Sequence, residues 1–186
     1  MKVLIVVDVQ NDFIDGALGS EAAQAIIPNV REKIQKYRES GNYVIFTKDT
    51  HDTNYMRSAE GKYLPIPHCI FNTEGWEIEK TLRATDISSK YEIVIDKNTF
   101  GETELPSIIT QLIPEEEELE EVEFIGLDTD ICVISNALIC QAYFRKYYPN
   151  KFIKITADAA CCAGSSPAAH EAALTVMKSC QIEVKE

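Results

Sequence analysis

The chain has 186 residues, 45% of them hydrophobic and 26% charged, with eight glycines and seven prolines. That composition excludes collagen-like, low-complexity and largely disordered chains, and the length suits a single domain, residues 1–186, with a substantial core. Eighteen Lys and Arg against 30 Asp and Glu give a net charge of −12, so nothing electrostatic favours nucleic acid or an anionic membrane as partner.

Seven glutamates fall between Glu115 and Glu123, and the segment reads as a solvated surface run. No apolar stretch reaches the ~18 residues of a membrane span. The opening MKVLIVVDVQ runs into Asp8 without a small-residue cleavage site, so it reads as a buried strand and not a signal peptide. The six cysteines show no paired CxxC steps, and a chain of this size needs no disulfide staples. Reduced thiols in a cytoplasmic protein are the expectation.

In chain order, Val3 to Val7 is a first strand, continuous in apolar character as a strand covered on both faces should be. A helix follows from Ser20, a good N-cap, to Glu39, with Gly41 just past its end. Tyr43 to Thr47 is the second strand, residues 50–72 a long loop, and Glu74 to Leu82 a short helix. Loops of that length in compact domains are usually functional. Glu92 to Ile95 is the third strand, Leu105 to Leu112 a helix, Val122 to Leu127 the fourth strand, and Ile131 to Tyr148 a helix. Phe152 to Thr156 is the fifth strand, Pro167 to Ser179 a helix, and Ile182 to Val184 a sixth, edge strand. This alternation predicts an α/β fold: one doubly wound, mainly parallel six-stranded sheet with helices on both faces.

Polar residues gather where the strands end: Asp8, Asp49, Lys97, Asp128 to Cys132, and Asp158. In open α/β sheets that edge carries the ligand site. Cys132 falls at the first turn of a helix, where unpaired N–H groups and the helix dipole would lower a thiol's pKa and could hold an oxyanion. Lys97 and Asp8 stand at neighbouring strand ends to support a thiolate and to move protons. On spacing alone Cys132 reads first as a small buried hydrophobe, as most free cysteines are. Asp49, His51 and His68 share one loop and fit a nitrogen–oxygen site for a divalent cation, with Glu60 a further candidate; two ordinary surface histidines are the other reading.

The stretches DVQNDF (from Asp8), TKDTH (from Thr47), PHCI (from Pro67), DKNTF (from Asp96) and GLDTDICV (from Gly126) resemble, in order, the motif series of the isochorismatase-like cysteine hydrolases. They spread over most of the chain, and the DTH and PHC pair followed by FNTEGW is similar to the nicotinamidases within that family. The resemblance implies an Asp8–Lys97–Cys132 triad and a metal held by Asp49, His51 and His68, with Glu60 the candidate for a fourth ligand, as in some bacterial members. It implies a cis peptide at Leu127–Asp128, an oxyanion hole made by the N–H groups of Asp128 and Cys132, and Phe13 and Phe100 as aromatic walls. It further implies one divalent ion, zinc first and iron or manganese as alternatives, a small amide such as nicotinamide as substrate, and a homo-oligomer.

Two positions depart from the pattern. Asp128 stands where relatives carry a small residue, and a carboxylate pointing inward there would raise the thiol pKa and oppose an oxyanion. Leu64-Pro65-Ile66 stands where relatives have a tryptophan, which makes Leu64 part of the expected ring pocket. The alternatives are another cysteine amidase acting on an N-carbamoyl or ureido compound, and a catalytically silent binding protein on the same fold. His170, in a helical segment, reads as a packing or surface residue. Cys161 and Cys162 read as packing against the floor of the site. No GxSxG, GxGxxG or GxxxxGK[ST] occurs in a supporting context.

Overall fold

The computed structural model describes residues 1–83, 91–114 and 116–186. Six strands, β1 (Lys2–Val7), β2 (Tyr43–Asp49), β3 (Glu92–Lys97), β4 (Glu121–Leu127), β5 (Lys154–Ala163) and β6 (Glu183–Lys185), form one sheet in the order β3-β2-β1-β4-β5-β6. Every pairing is parallel. The helices are α1 (Asn11–Ile14), α2 (Glu21–Glu39), α3 (Ala59–Tyr63), α4 (Leu105–Leu112), α5 (Ile134–Tyr147) and α6 (Pro167–Ser179). Among the described residues no helix is long and apolar enough to cross a membrane.

The continuous apolar run of β1 is explained by layers on both faces. Val3, Ile5 and Val7 pack with Leu105 and Ile109 of α4, Ala137 and Phe144 of α5 and Met177 of α6. Leu4 and Val6 face Ile26, Val30 and Ile34 of α2. With a side-chain period of two, a one-residue slip would exchange these sets, so packing fixes the register. The Ser20 side chain caps α2 by accepting from the Ala23 N–H at 3.0 Å, and Gly41 follows its end at φ +67°.

The strand order reverses between β1 and β4, and the crevice at the carboxyl ends opens there. Gly126 sits beside it at φ +116°, where a Cβ would stand 2.1 Å from the Val7 carbonyl oxygen. No other residue allows β1 and β4 to approach so closely at that point.

Four expectations need correction. The segment expected as a helix from Glu74 to Leu82 is a series of turns, because its backbone bonds to the stretch after β1. Glu77 and Gly75 carbonyls accept from Asn11 and Asp12, and the Glu79 N–H donates to Val9. The loop over residues 50–72 contains a 3-10 turn (Tyr55–Arg57) and α3, capped by Ser58 Oγ on the Gly61 N–H at 2.9 Å.

The fifth strand runs on to Ala163, so Asp158 lies inside it and not at the rim. Its carboxylate is neutralised by Lys33 of α2 at 2.6 Å. The acidic run is only partly solvated. Glu121 and Glu123 are buried on β4, because Lys2, Lys33 and Lys185 pair with them and Tyr37 donates to Glu123 at 2.6 Å. Glu115, the first residue of that run, lies outside the described residues.

Candidate active site

Asp8 follows β1 directly, in the left-handed region at φ +48°, and is fully buried. Thr47 Oγ1, on the neighbouring strand, donates to Asp8 Oδ1 at 2.6 Å. Lys97 ends β3, two strands away, and its side chain crosses the end of β2 to bring Nζ within 2.6 Å of Asp8 Oδ2. That contact is an ion pair off the hydrogen-bond direction, which leaves a buried Oδ2 with an unused lone pair. Lys97 Nζ is also 3.7 Å from Cys132 Sγ. The three residues expected as a triad are therefore together.

Burial pushes the Asp8 carboxyl up, and neighbouring Asp49 adds to that, while Lys97 pulls it down; the net direction is upward. Burial would lower Lys97, but the carboxylates of Asp8 and Asp49 raise it further, so it stays charged. Cys132 corrects the expectation from its place at a helix start. Burial first and the Asp8 carboxylate second hold its thiol well above the ordinary range, against the pull of Lys97. The Cys132 thiol thus favours its protonated form, with the Asp8 carboxyl and the Lys97 ammonium beside it.

Cys132 lies in a π-helical turn (Thr129–Val133) that leads into α5. The peptide bond between Leu127 and Asp128 before that turn is cis. The Asp128 carbonyl accepts from Ile131 N–H at 3.0 Å and Val133 N–H at 3.1 Å, which fixes the turn. Three further side chains tie it down. Thr129 Oγ1 meets His170 Nδ1 at 2.8 Å, and Asp130 accepts from the Ser165 N–H and hydroxyl at 2.8 and 2.6 Å. Asn136, fully buried, donates to the carbonyls of Cys132 and Phe100. His170 is therefore more than a packing residue.

The end of β2 and the loop after it gather Asp49, His51, Glu60 and His68, with one donor atom from each within 4.8 Å of the others. Asp49 Oδ2 lies 2.9 Å from His51 Nε2 and 3.3 Å from His68 Nε2. Glu60, brought in by α3, stands 3.5 Å from His68 Nε2 and 3.8 Å from His51 Nε2. His68 Nδ1 bonds to the Ile66 carbonyl at 2.8 Å, which turns Nε2 toward the group. Burial opposes ionisation of Asp49, but bonds from both histidines and the Lys97 charge hold its carboxyl well below the usual range. Two imidazole nitrogens and two carboxylates converging at this distance fit a zinc-like divalent cation once they close around it.

Supporting residues were not visible in the sequence. Gln10 accepts from the Asp49 N–H at 2.7 Å and donates to the Asp49 and Trp76 carbonyls, locking Asp49 to the chain after β1. Asp12 accepts from the Cys69 N–H at 2.7 Å and holds the turn after His68. The Tyr55 ring packs edge-on against both His51 and His68. Gln10 and Asp12 lie inside the DVQNDF stretch, which was the only signal for them.

Cys132 and the carboxylate–histidine group open into one cavity of about 820 Å³. Phe13, Leu64 and Phe100 line it as expected. So does Asp128, whose carboxyl is pushed up to about 6 by burial, with Asp130 and Asp8 adding to it. Cys161 and Cys162 face opposite layers of the core, and among the described residues all six cysteines are free.

The sequence profile of the Isochorismatase domain matches residues 2–185. The nicotinamidase/pyrazinamidase of Mycobacterium tuberculosis is 31% identical over 149 residues, covering 74% of this chain and 77% of that protein. The crystal structure of nicotinamidase/pyrazinamidase PncA from Bacillus subtilis is similar with a TM-score of 0.84 and 30% identity, covering 100% of this chain and 99% of that one. Pyrazinamidase of Pyrococcus horikoshii, solved in complex with zinc, gives a TM-score of 0.76 and 27% identity, over 100% of this chain and 98% of that one.

Proposed function

The chain belongs to the isochorismatase domain family, and from that premise we propose that it is a metal-dependent nicotinamidase, releasing nicotinate and ammonia through a thioester on Cys132. The observation that carries this reading is the opening of Cys132, with Lys97 and Asp8 behind it, into the same cavity as the Asp49–His51–Glu60–His68 group. A divalent ion held by those four side chains, zinc being well suited, would supply a Lewis-acid anchor for a ring nitrogen of the substrate.

Cys132 Sγ attacks the carboxamide carbon as Asp8 takes the thiol proton through its free lone pair. Lys97 keeps Asp8 oriented and opposes the charge that forms on sulfur. The N–H groups of Asp128 and Cys132 hold the oxyanion, a contribution of roughly 3–4 kcal/mol per donor in comparable acyl transfers. Asp8 then returns the proton to the departing nitrogen, so ammonia leaves and the thioester remains. A water that Asp8 deprotonates hydrolyses the thioester, freeing nicotinate and the thiol. Phe13 and Phe100 flank the ring, and Leu64 closes part of its wall.

We read residues 1–186 as one domain of this family. An amidase for N-carbamoyl or ureido compounds would use Asp8, Lys97 and Cys132 alike but leave the carboxylate–histidine group without a task. The test is ammonia release from nicotinamide beside benzamide, which lacks the ring nitrogen. Nicotinamide should be hydrolysed and benzamide at least ~10²-fold more slowly, the scale expected from lost substrate positioning; equal rates would exclude the anchoring role.

A further inference from the structure

The cavity holds three lining carboxyl groups, and two of them are partnered. Asp49 accepts from His51 and faces His68 and Lys97, and Glu60 faces both histidines. The third, Asp128, makes no side-chain hydrogen bond or ion pair among the described residues. Yet it lines the cavity beside Cys132 and lies close enough to Asp8 and Asp130 to feel both charges. Its carboxylate is half-buried and faces the cavity, so a donor on a bound ligand can take the place of solvent there. Asp128 also contributes the backbone N–H assigned above to the oxyanion, so one residue offers a donor and an acceptor to the same substrate group.

A primary carboxamide matches that pair: its oxygen accepts and its NH2 donates. A carboxylate has two acceptors and a negative charge, and would meet Asp128 in a cavity that already contains Asp49 and Glu60. An ester offers no N–H at all. We propose that the Asp128 side chain is a specificity-determining group that accepts from the substrate's amide N–H and repels the carboxylate product, favouring amides over esters and speeding product departure. This rests on the nicotinamidase reading. The effect is expected to be moderate, because Asp128 is partly solvated and its charge is screened.

Two variants separate charge from acceptor. Asp128→Asn keeps an acceptor oxygen and removes the charge. It should strengthen inhibition by nicotinate at least ~10-fold at pH 7.5 while the ratio of kcat/KM for nicotinamide over methyl nicotinate changes little. Asp128→Ala removes both, so nicotinate inhibition should strengthen and that ratio should also fall at least ~10-fold. If wild type hydrolyses nicotinamide but both variants keep its nicotinate inhibition and its amide-to-ester ratio, the proposal is overturned and the nicotinamidase reading survives. If wild type releases no ammonia from nicotinamide, that reading fails and the proposal falls with it. Should the variants not fold, calorimetry on Cys132→Ala decides: nicotinamide should bind at least ~10-fold more tightly than nicotinate, and equal affinities overturn the proposal.

Discussion

Lys97 and Asp8 form an ion pair with both side chains fully buried, 2.6 Å from Nζ to Oδ2, and the same ammonium lies 3.7 Å from the sulfur of Cys132. Removing one member of a buried pair strands the other, at a cost of about 3–5 kcal/mol. Lys97→Met should therefore lower the melting temperature by several degrees as well as the rate. A melting temperature equal to wild type would mean that Asp8 takes up a proton once Lys97 is gone and so avoids the cost of a stranded charge.

The thiol of Cys132 is held up by burial and by Asp8, so the thiolate should be scarce at neutral pH. In wild type, alkylation by iodoacetamide should accelerate only above the ordinary thiol range of about 8.5. Asp8→Asn removes one raising charge, leaving Lys97 opposed only by burial and the Asp49 carboxylate. Its alkylation profile should shift to lower pH even as amidase activity falls by ~10² or more. An unshifted profile would show that the two groups do not sense each other.

Asp128 makes stability depend on pH in a definite direction. Its folded-state pKa of about 6 is raised from an ordinary 3.8, chiefly by burial, so the native state holds this proton more tightly than the unfolded chain. Its contribution is fully present below pH 4 and is lost as pH rises toward 6. Relative to wild type, Asp128→Asn should be more stable above pH 7, by on the order of 1–2 kcal/mol after solvent screening, with little or no difference below pH 4. Denaturant unfolding at the two pH values checks this, and an equal effect at both contradicts it.

At the opposite end of the sheet, Glu123 of β4 accepts from Tyr37 at 2.6 Å and pairs with Lys33 at 3.0 Å and Lys185 at 2.9 Å. This network ties α2 and the edge strand β6 to the centre of the sheet, far from the cavity. Glu123→Ala should destabilise by about 2–4 kcal/mol, discounting the partly exposed lysines. The KM for nicotinamide should stay as in wild type. A large change in KM with unchanged stability would contradict the assignment.

Where chemistry sits at strand ends, the sequence was readable. Asp8, Asp49, Lys97 and Cys132 each follow or close an apolar run, and strand order then brings them together. α4 and α6 were equally legible, since Leu105 to Leu112 and Pro167 to Ser179 both read as helices at those bounds. What escaped was long-range bonding. Glu74 to Leu82 carries a plausible helical pattern, but its backbone finds partners near Asn11 and Asp12 instead of four residues away. β5 was read too short because Ala157, Ala159, Ala160 and Ala163 with two cysteines have little intrinsic strand preference; burial between layers makes them a strand. The direction of the Cys132 thiol was misjudged for a related reason. The local helix-start argument neglects burial and Asp8, which come from other parts of the chain.

The most direct measurement is the rate of ammonia release from nicotinamide by wild type, by Cys132→Ala, and by protein stripped with a chelator and then resupplied with zinc, with bound metal and melting temperature recorded for each. Wild type should turn over with one divalent ion per chain. Cys132→Ala should keep its metal and melting temperature but lose at least ~10³-fold in rate. Stripped protein should lose both activity and several degrees of melting temperature, and zinc should restore both. Hydrolysis by Cys132→Ala at the wild-type rate, or full activity and unchanged melting without metal, would contradict a metal-assisted reaction at Cys132.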